Sequence, residues 1–94
     1  MPPCAVEFIE RFAKDVQVLP AATRLEIEET LRRLSQTFGQ PHLHTGLGIR
    51  RLKHNYFECR VGSDLRMVFK LDGSVLTMTR IGNHEDVRRF IKGT

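Results

Sequence analysis

Between residues 49 and 81 the chain falls into four short runs of strand-forming residues, Ile49 to Lys53, Tyr56 to Val61, Leu65 to Leu71 and Val75 to Ile81. The gaps between them are His54-Asn55, Gly62-Ser63-Asp64 and Asp72-Gly73-Ser74. Gaps this short join only antiparallel neighbours, so the runs predict a four-stranded meander. Successive side chains of a strand point to opposite faces. In the second run this sets Phe57, Cys59 and Val61 against Tyr56, Glu58 and Arg60. One face is therefore expected to pack on helices and the other to present polar groups.

The first half of the chain has helical spacing. After a short strand from Ala5 to Phe8, Ile9, Phe12, Ala13 and Val16 recur at intervals of three and four, and Leu19-Pro20 ends that helix. A second helix is predicted from Pro20 to Thr37, with Ile27, Leu31, Leu34 and Phe38 on one side. On its other side Glu28 with Arg32 and Glu29 with Arg33 are expected to pair at i,i+4. Phe38-Gly39-Gln40-Pro41 stops the helix, and the loop runs on through Gly46 and Gly48. His84 to Lys92 reads as a last short helix or a tail. The expected architecture is a single α+β domain over 1–94, in the order β-α-α-β-β-β-β, with a helical hairpin on an antiparallel meander sheet.

Several function classes are disfavoured. The longest apolar stretch is a few residues, so no membrane span is expected. Met1-Pro2-Pro3-Cys4-Ala5 lacks the basic-then-apolar pattern of a secretion signal, which makes a cytoplasmic location the expectation. Cys4 and Cys59 show no metal-ligand spacing and read as reduced apolar fillers. His42 and His44 sit beside Pro41 without a second ligand pair, so they read as a polar loop and no metal or cofactor is assigned.

Charge is divided unevenly. Residues 1–47 carry five Lys or Arg against six acids, a net of −1, whereas residues 48–94 carry ten against five, a net of +5. A one-sided basic surface suits a nucleic acid held through its phosphates, and suits an acidic protein partner equally. Within the basic half, Arg60, Asp64, Arg66, Arg80 and His84 lie on strands near tight turns. Cleaving RNA at a phosphodiester needs a group to take the 2′-hydroxyl proton, cations to steady the phosphate and an acid for the leaving oxygen. His84 is the candidate acid or half of an acid/base pair, with Arg66 and Arg60 as the phosphate cations. An arginine is too basic to take a proton readily, so that role falls to Asp64, His84 or solvent. Arg50, Arg51, Lys53, His54, Arg80 and Arg88 are candidate phosphate contacts, and Tyr56 could stack on a base.

The order of elements, the Leu52-Lys53 pair, the Leu65-to-Phe69 strand and the motifs FECRVGSD and RIGNHEDV together resemble the RelE/ParE superfamily of toxin-antitoxin toxins, closest to the YafQ-like and RelE-like members. The resemblance spans nearly the whole chain. It implies a toxin that cleaves mRNA in the ribosomal A site, needs no cofactor, and is silenced by a small cognate antitoxin. The resulting complex could bind operator DNA through the antitoxin.

Carried over by position, His84 falls where YafQ-like members have a histidine needed for cleavage, Arg66 where RelE has a phosphate-binding arginine, and Asp64 at an acidic position of the YafQ-like site. Arg60 departs from the histidine of those relatives, and Arg88 from the Tyr or Phe found four residues after the histidine. Two other readings stay open: a ParE-like poison of DNA gyrase, and a RelE-like domain that binds an antitoxin without catalysis.

Overall fold

The computed structural model describes residues 4–93. The reading of the first three residues as free of a leader lies outside them. In chain order the elements are β1 (Ala5–Phe8), α1 (Glu10–Gln17), α2 (Ala21–Thr37), a single 3-10 turn (Pro41–Leu43), β2 (Arg50–Lys53), β3 (Tyr56–Val61), β4 (Leu65–Asp72), β5 (Val75–Gly82) and α3 (His84–Lys92).

The meander forms as the spacing predicts, with β2, β3, β4 and β5 antiparallel in turn. What the turns could not show is where β1 goes. It joins the far edge, parallel to β5 from Ala5 opposite Val75 to Phe8 opposite Met78, so the sheet is mixed, in the order β1-β5-β4-β3-β2. Parallel pairing needs a long connection, which here consists of both helices and the whole meander.

Helices α1 and α2 cover one face of the sheet. Phe12, Ile27 and Leu34 meet Cys59, Val61, Met67, Phe69, Leu76 and Met78 in one buried core. At its centre Phe69 stacks on Phe57 with ring centroids 5.7 Å apart and takes the edge of Phe38 at 5.6 Å. Cys59 and Cys4 are both free thiols. Burial pushes the Cys59 thiol up to about 12, which keeps it protonated and unreactive at neutral pH. One expected ion pattern differs: Arg32 pairs with Glu29 at i,i+3, while Arg33 donates to the Thr45 carbonyl oxygen at 2.6 Å. A guanidinium that can tie down the loop after α2 through a carbonyl is not left for a surface carboxylate.

On the other face the expectation of an open polar surface is corrected. Helix α3 lies across it, burying Val87 and Val68, the latter alternating away from the main core. Its apolar side, Val87, Phe90 and Ile91, has helical i, i+3, i+4 spacing. Its start is fixed by a capping box, in which the Asp86 backbone N–H donates to Asn83 Oδ1 at 2.9 Å and the Asn83 N–H donates to Asp86 Oδ2 at 2.9 Å. The Asn83 hydrogen bond, and then Arg89, hold the Asp86 carboxyl below the usual carboxylate range. The last segment is thus a defined helix rather than a tail.

Gly82 makes this arrangement possible. A Cβ there would stand 2.6 Å from Asp86 Cβ and 2.7 Å from its Oδ2, and that side chain is tied by the capping box and by Arg89. Gly82→Ala should therefore open the cap, costing about 1–2 kcal/mol and lowering the melting temperature by roughly 5–10 °C in a circular-dichroism melt. An unchanged melt would show that the helix start can shift without loss.

Candidate functional site

The α3-facing side of the sheet carries a cross-strand row of Arg50, Glu58, Val68 and Arg80, each register partner of the next. Arg80 reaches this row because β5 bulges: Val68 opposes Arg80 but Phe69 opposes Met78, leaving Thr79 as the extra residue. Strict alternation would have put Arg80 on the same face as Met78, in the core. A bulge re-aims the side chain after it, and buried Thr79 is satisfied by donating its hydroxyl to the Val68 carbonyl at 3.1 Å.

The next row sets Arg60 directly opposite Arg66. Like charges facing across strands repel, and the two side chains part. Arg60 lies over Gly48, where an added Cβ would meet Arg60 Cβ at 3.3 Å. Arg66 turns to Glu58, its Nη1 2.9 Å from Oε2. Arg50 reaches the same oxygen with Nε at 3.2 Å.

Glu58 is the pivot of the site and is only 1% exposed. Both arginines share its Oε2, while Oε1 is buried without a hydrogen-bond partner among the described residues. A carboxylate in this setting is tolerable because two permanent cations offset its charge. Arg66 donates one N–H to it and Arg50 pairs with it by charge, and a guanidinium has five N–H groups. Both side chains keep part of their surface in solvent, 62% for Arg50 and 27% for Arg66.

His84, the first residue of α3, is exposed and lines a cavity of about 210 Å³ with Arg50, Glu58 and Arg88. Leu52, Val87, Ile91 and Lys92 complete its wall. Arg88 makes an exposed pair with Glu85 at 3.1 Å. The fold thus gathers His84, Arg66, Arg50 and Arg88 around Glu58.

Other nominated residues stand apart. Asp64 is exposed in the β3–β4 turn. Arg51 donates to the His54 carbonyl at 2.8 Å, and His54 takes a left-handed φ of 55° to close the β2–β3 turn beside Lys53. The Tyr56 ring meets Phe90 edge-on at 5.8 Å, which commits it to seating α3. Arg80 lies over Phe90, 4.7 Å from the ring centroid, and lines a separate open cleft of about 760 Å³ with Arg11, Asp15 and Arg89. His44 bonds the Thr37 carbonyl at 2.8 Å and anchors its loop. Among the described residues no three His, Cys, Asp or Glu side chains are grouped to hold a metal.

The sequence reading passed over Glu58, treating it as one of the polar groups on an open face. A signal was present: it is the only acid between Glu29 and Asp64, in a segment that holds Arg50, Arg51, Lys53 and Arg60.

No protein-family model matches the chain, and no curated protein matches its sequence. Solved structures do match it over nearly its full length. A chain of the RelB–RelE antitoxin–toxin complex of Methanococcus jannaschii superposes with a TM-score of 0.67 at 23% identity, covering 89% of this chain and 96% of that one. A chain of the RelE–RelB complex of Pyrococcus horikoshii OT3 gives 0.71 at 18% identity, covering 88% and 96%. YafQ of E. coli gives 0.67 at 21% identity, covering 89% and 97%. The α+β architecture described above is therefore the fold of RelE-type toxins.

Proposed function

We propose that the chain is the toxin of a type II toxin-antitoxin pair and acts as an endoribonuclease on mRNA at the ribosome, in the cytoplasm. The fold shared with RelE and YafQ supports the toxin assignment. The observation that carries the chemistry is the pair of guanidinium groups braced by one buried carboxylate, with a histidine lining the cavity that this carboxylate and Arg50 also line. Arg50 and Arg66 offer their free N–H groups to a bound phosphate as charge develops on it in the transition state, where preorganised donors have most effect. His84 gives its proton to the departing 5′-oxygen. The 2′-oxygen attacks the adjacent phosphorus, and the products are a 2′,3′-cyclic phosphate and a 5′-hydroxyl.

Silencing falls to a cognate antitoxin, whose acidic side chains would match a half-chain with a net charge of +5. A toxin-antitoxin complex of this kind would contact operator DNA through the antitoxin. Among the described residues no helix is long and apolar enough to cross a membrane.

Inducible expression in a bacterial host tests the proposal. Growth arrest should accompany in-frame 5′ ends in mRNA mapped by primer extension, and His84→Ala should reduce those cuts by about 10²-fold or more. Arrest without RNA cleavage would replace this reading with gyrase poisoning, detectable as inhibited supercoiling. No arrest from a folded product would point to a domain that only binds.

A further inference from the structure

The ribonuclease reading leaves one role without a holder, the group that takes the 2′-hydroxyl proton. Arg60 is too basic for it. Asp64 sits exposed in its turn, Glu85 is occupied by Arg88, and Asp86 caps α3. Glu58 is the carboxylate that lines the His84 cavity. Its two oxygens are not equivalent, since Oε2 carries both arginines and Oε1 is buried with no hydrogen-bond partner among the described residues. A buried acceptor left unbonded costs about 1–3 kcal/mol, so Oε1 gains from a donor that arrives from outside.

We propose that Glu58 is the proton acceptor for the ribose 2′-hydroxyl of a bound RNA, an inference that rests on the ribonuclease reading above. The arginines specify the donor. Arg66 hydrogen-bonds Oε2 through Nη1, Arg50 pairs with the same oxygen through Nε at 3.2 Å, and each guanidinium has further N–H groups for a phosphate, which would then lie beside the carboxylate. The hydroxyl that belongs between a phosphate and a neighbouring acceptor is the 2′-OH of the attached ribose. The O2′–H bond breaks, with its proton passing to Oε1, and O2′ bonds to phosphorus. The P–O5′ bond breaks as O5′ takes a proton from the His84 imidazolium, and exchange with water then restores both groups. Glu58 is buried at rest in the wall of a cavity that the exposed His84 and Arg88 also line. The Arg88–Glu85 pair has side chains 57% and 64% exposed, and pairs of that kind hold little free energy, so this part of the wall can rearrange around a ligand.

The test is single-turnover cleavage of ribosome-bound mRNA by the full chain at neutral pH, read as the rate constant and the half-saturating concentration. Glu58→Gln should lower the rate constant by about 10² to 10⁴-fold and leave the half-saturating concentration within about threefold. Glu58→Asp, which keeps the carboxylate but draws it back by one methylene, should recover part of the rate. A purely structural role for Glu58 would instead loosen both arginines and raise the half-saturating concentration. A folded Glu58→Gln variant that cleaves within about threefold of wild type overturns the proposal, and so does a Glu58→Asp variant that cleaves as fast as wild type. Absence of any cleavage by wild type removes the ribonuclease reading itself, whereas cleavage that survives in Glu58→Gln removes only the assignment of Glu58.

Discussion

Arg66→Ala should cut the rate of RNA cleavage by about 10² to 10³-fold, the effect seen when one preorganised donor to a developing oxyanion is lost. In the proposed chemistry Arg66 serves both partners, bonding Glu58 Oε2 at 2.9 Å and offering its other N–H groups to the phosphate. Removing it also leaves buried Glu58 with Arg50 alone, a loss of about 1–3 kcal/mol in stability. Rates must therefore be measured where circular dichroism shows the variant folded. Arg66→Lys separates the two effects. A lysine keeps the charge but loses the planar fork that can hold carboxylate and phosphate together, so the variant should regain stability and recover only part of the rate. Full activity in the lysine variant would mean that charge alone suffices and that the shared guanidinium geometry is irrelevant.

The largest change in stability is expected from Phe69→Ala. Phe69 is fully buried on β4, stacked on Phe57 and edge-on to Phe38, so it ties the sheet to the end of α2. Deleting a buried ring removes its transfer free energy and leaves a cavity that close-packed neighbours fill only in part, at a cost of about 3–5 kcal/mol. For a domain of this size the melting temperature should fall by roughly 15–30 °C. Phe8 on β1, 58% exposed, is the natural control, and Phe8→Ala should change stability by less than about 1 kcal/mol. Equal losses from the two substitutions in a thermal melt would contradict the placement of the core.

The sequence reading and the structure agree over most of what is local, the i,i+4 pairs expected on α2 excepted. Strand β3, from Tyr56 to Val61, and helix α3, from His84 to Lys92, begin and end where alternation, turn residues and apolar spacing place them. The loop glycines were legible too, since Gly48 and Gly62 take φ of 59° and 61°, values that favour glycine. The arginines and His84 could be nominated because their chemistry is written in their side chains.

Their grouping could not be read that way. The face that alternation left open on β3 is closed by α3, because Val87, Phe90 and Ile91 need an apolar surface and Val68 supplies one. Closing it turned Glu58 from an apparent surface acid into a buried carboxylate between Arg50 and Arg66. The parallel placement of β1 beside β5 and the Thr79 bulge that swings Arg80 out of the core were equally hidden. Both depend on contacts between segments far apart in sequence. By itself the sequence determined the elements and the residue types available for chemistry, because period, turn residues and titratable groups act within a few positions. Which charges are buried, paired or left without a partner was decided only by the tertiary structure, because burial and ion pairing depend on which distant segments pack together.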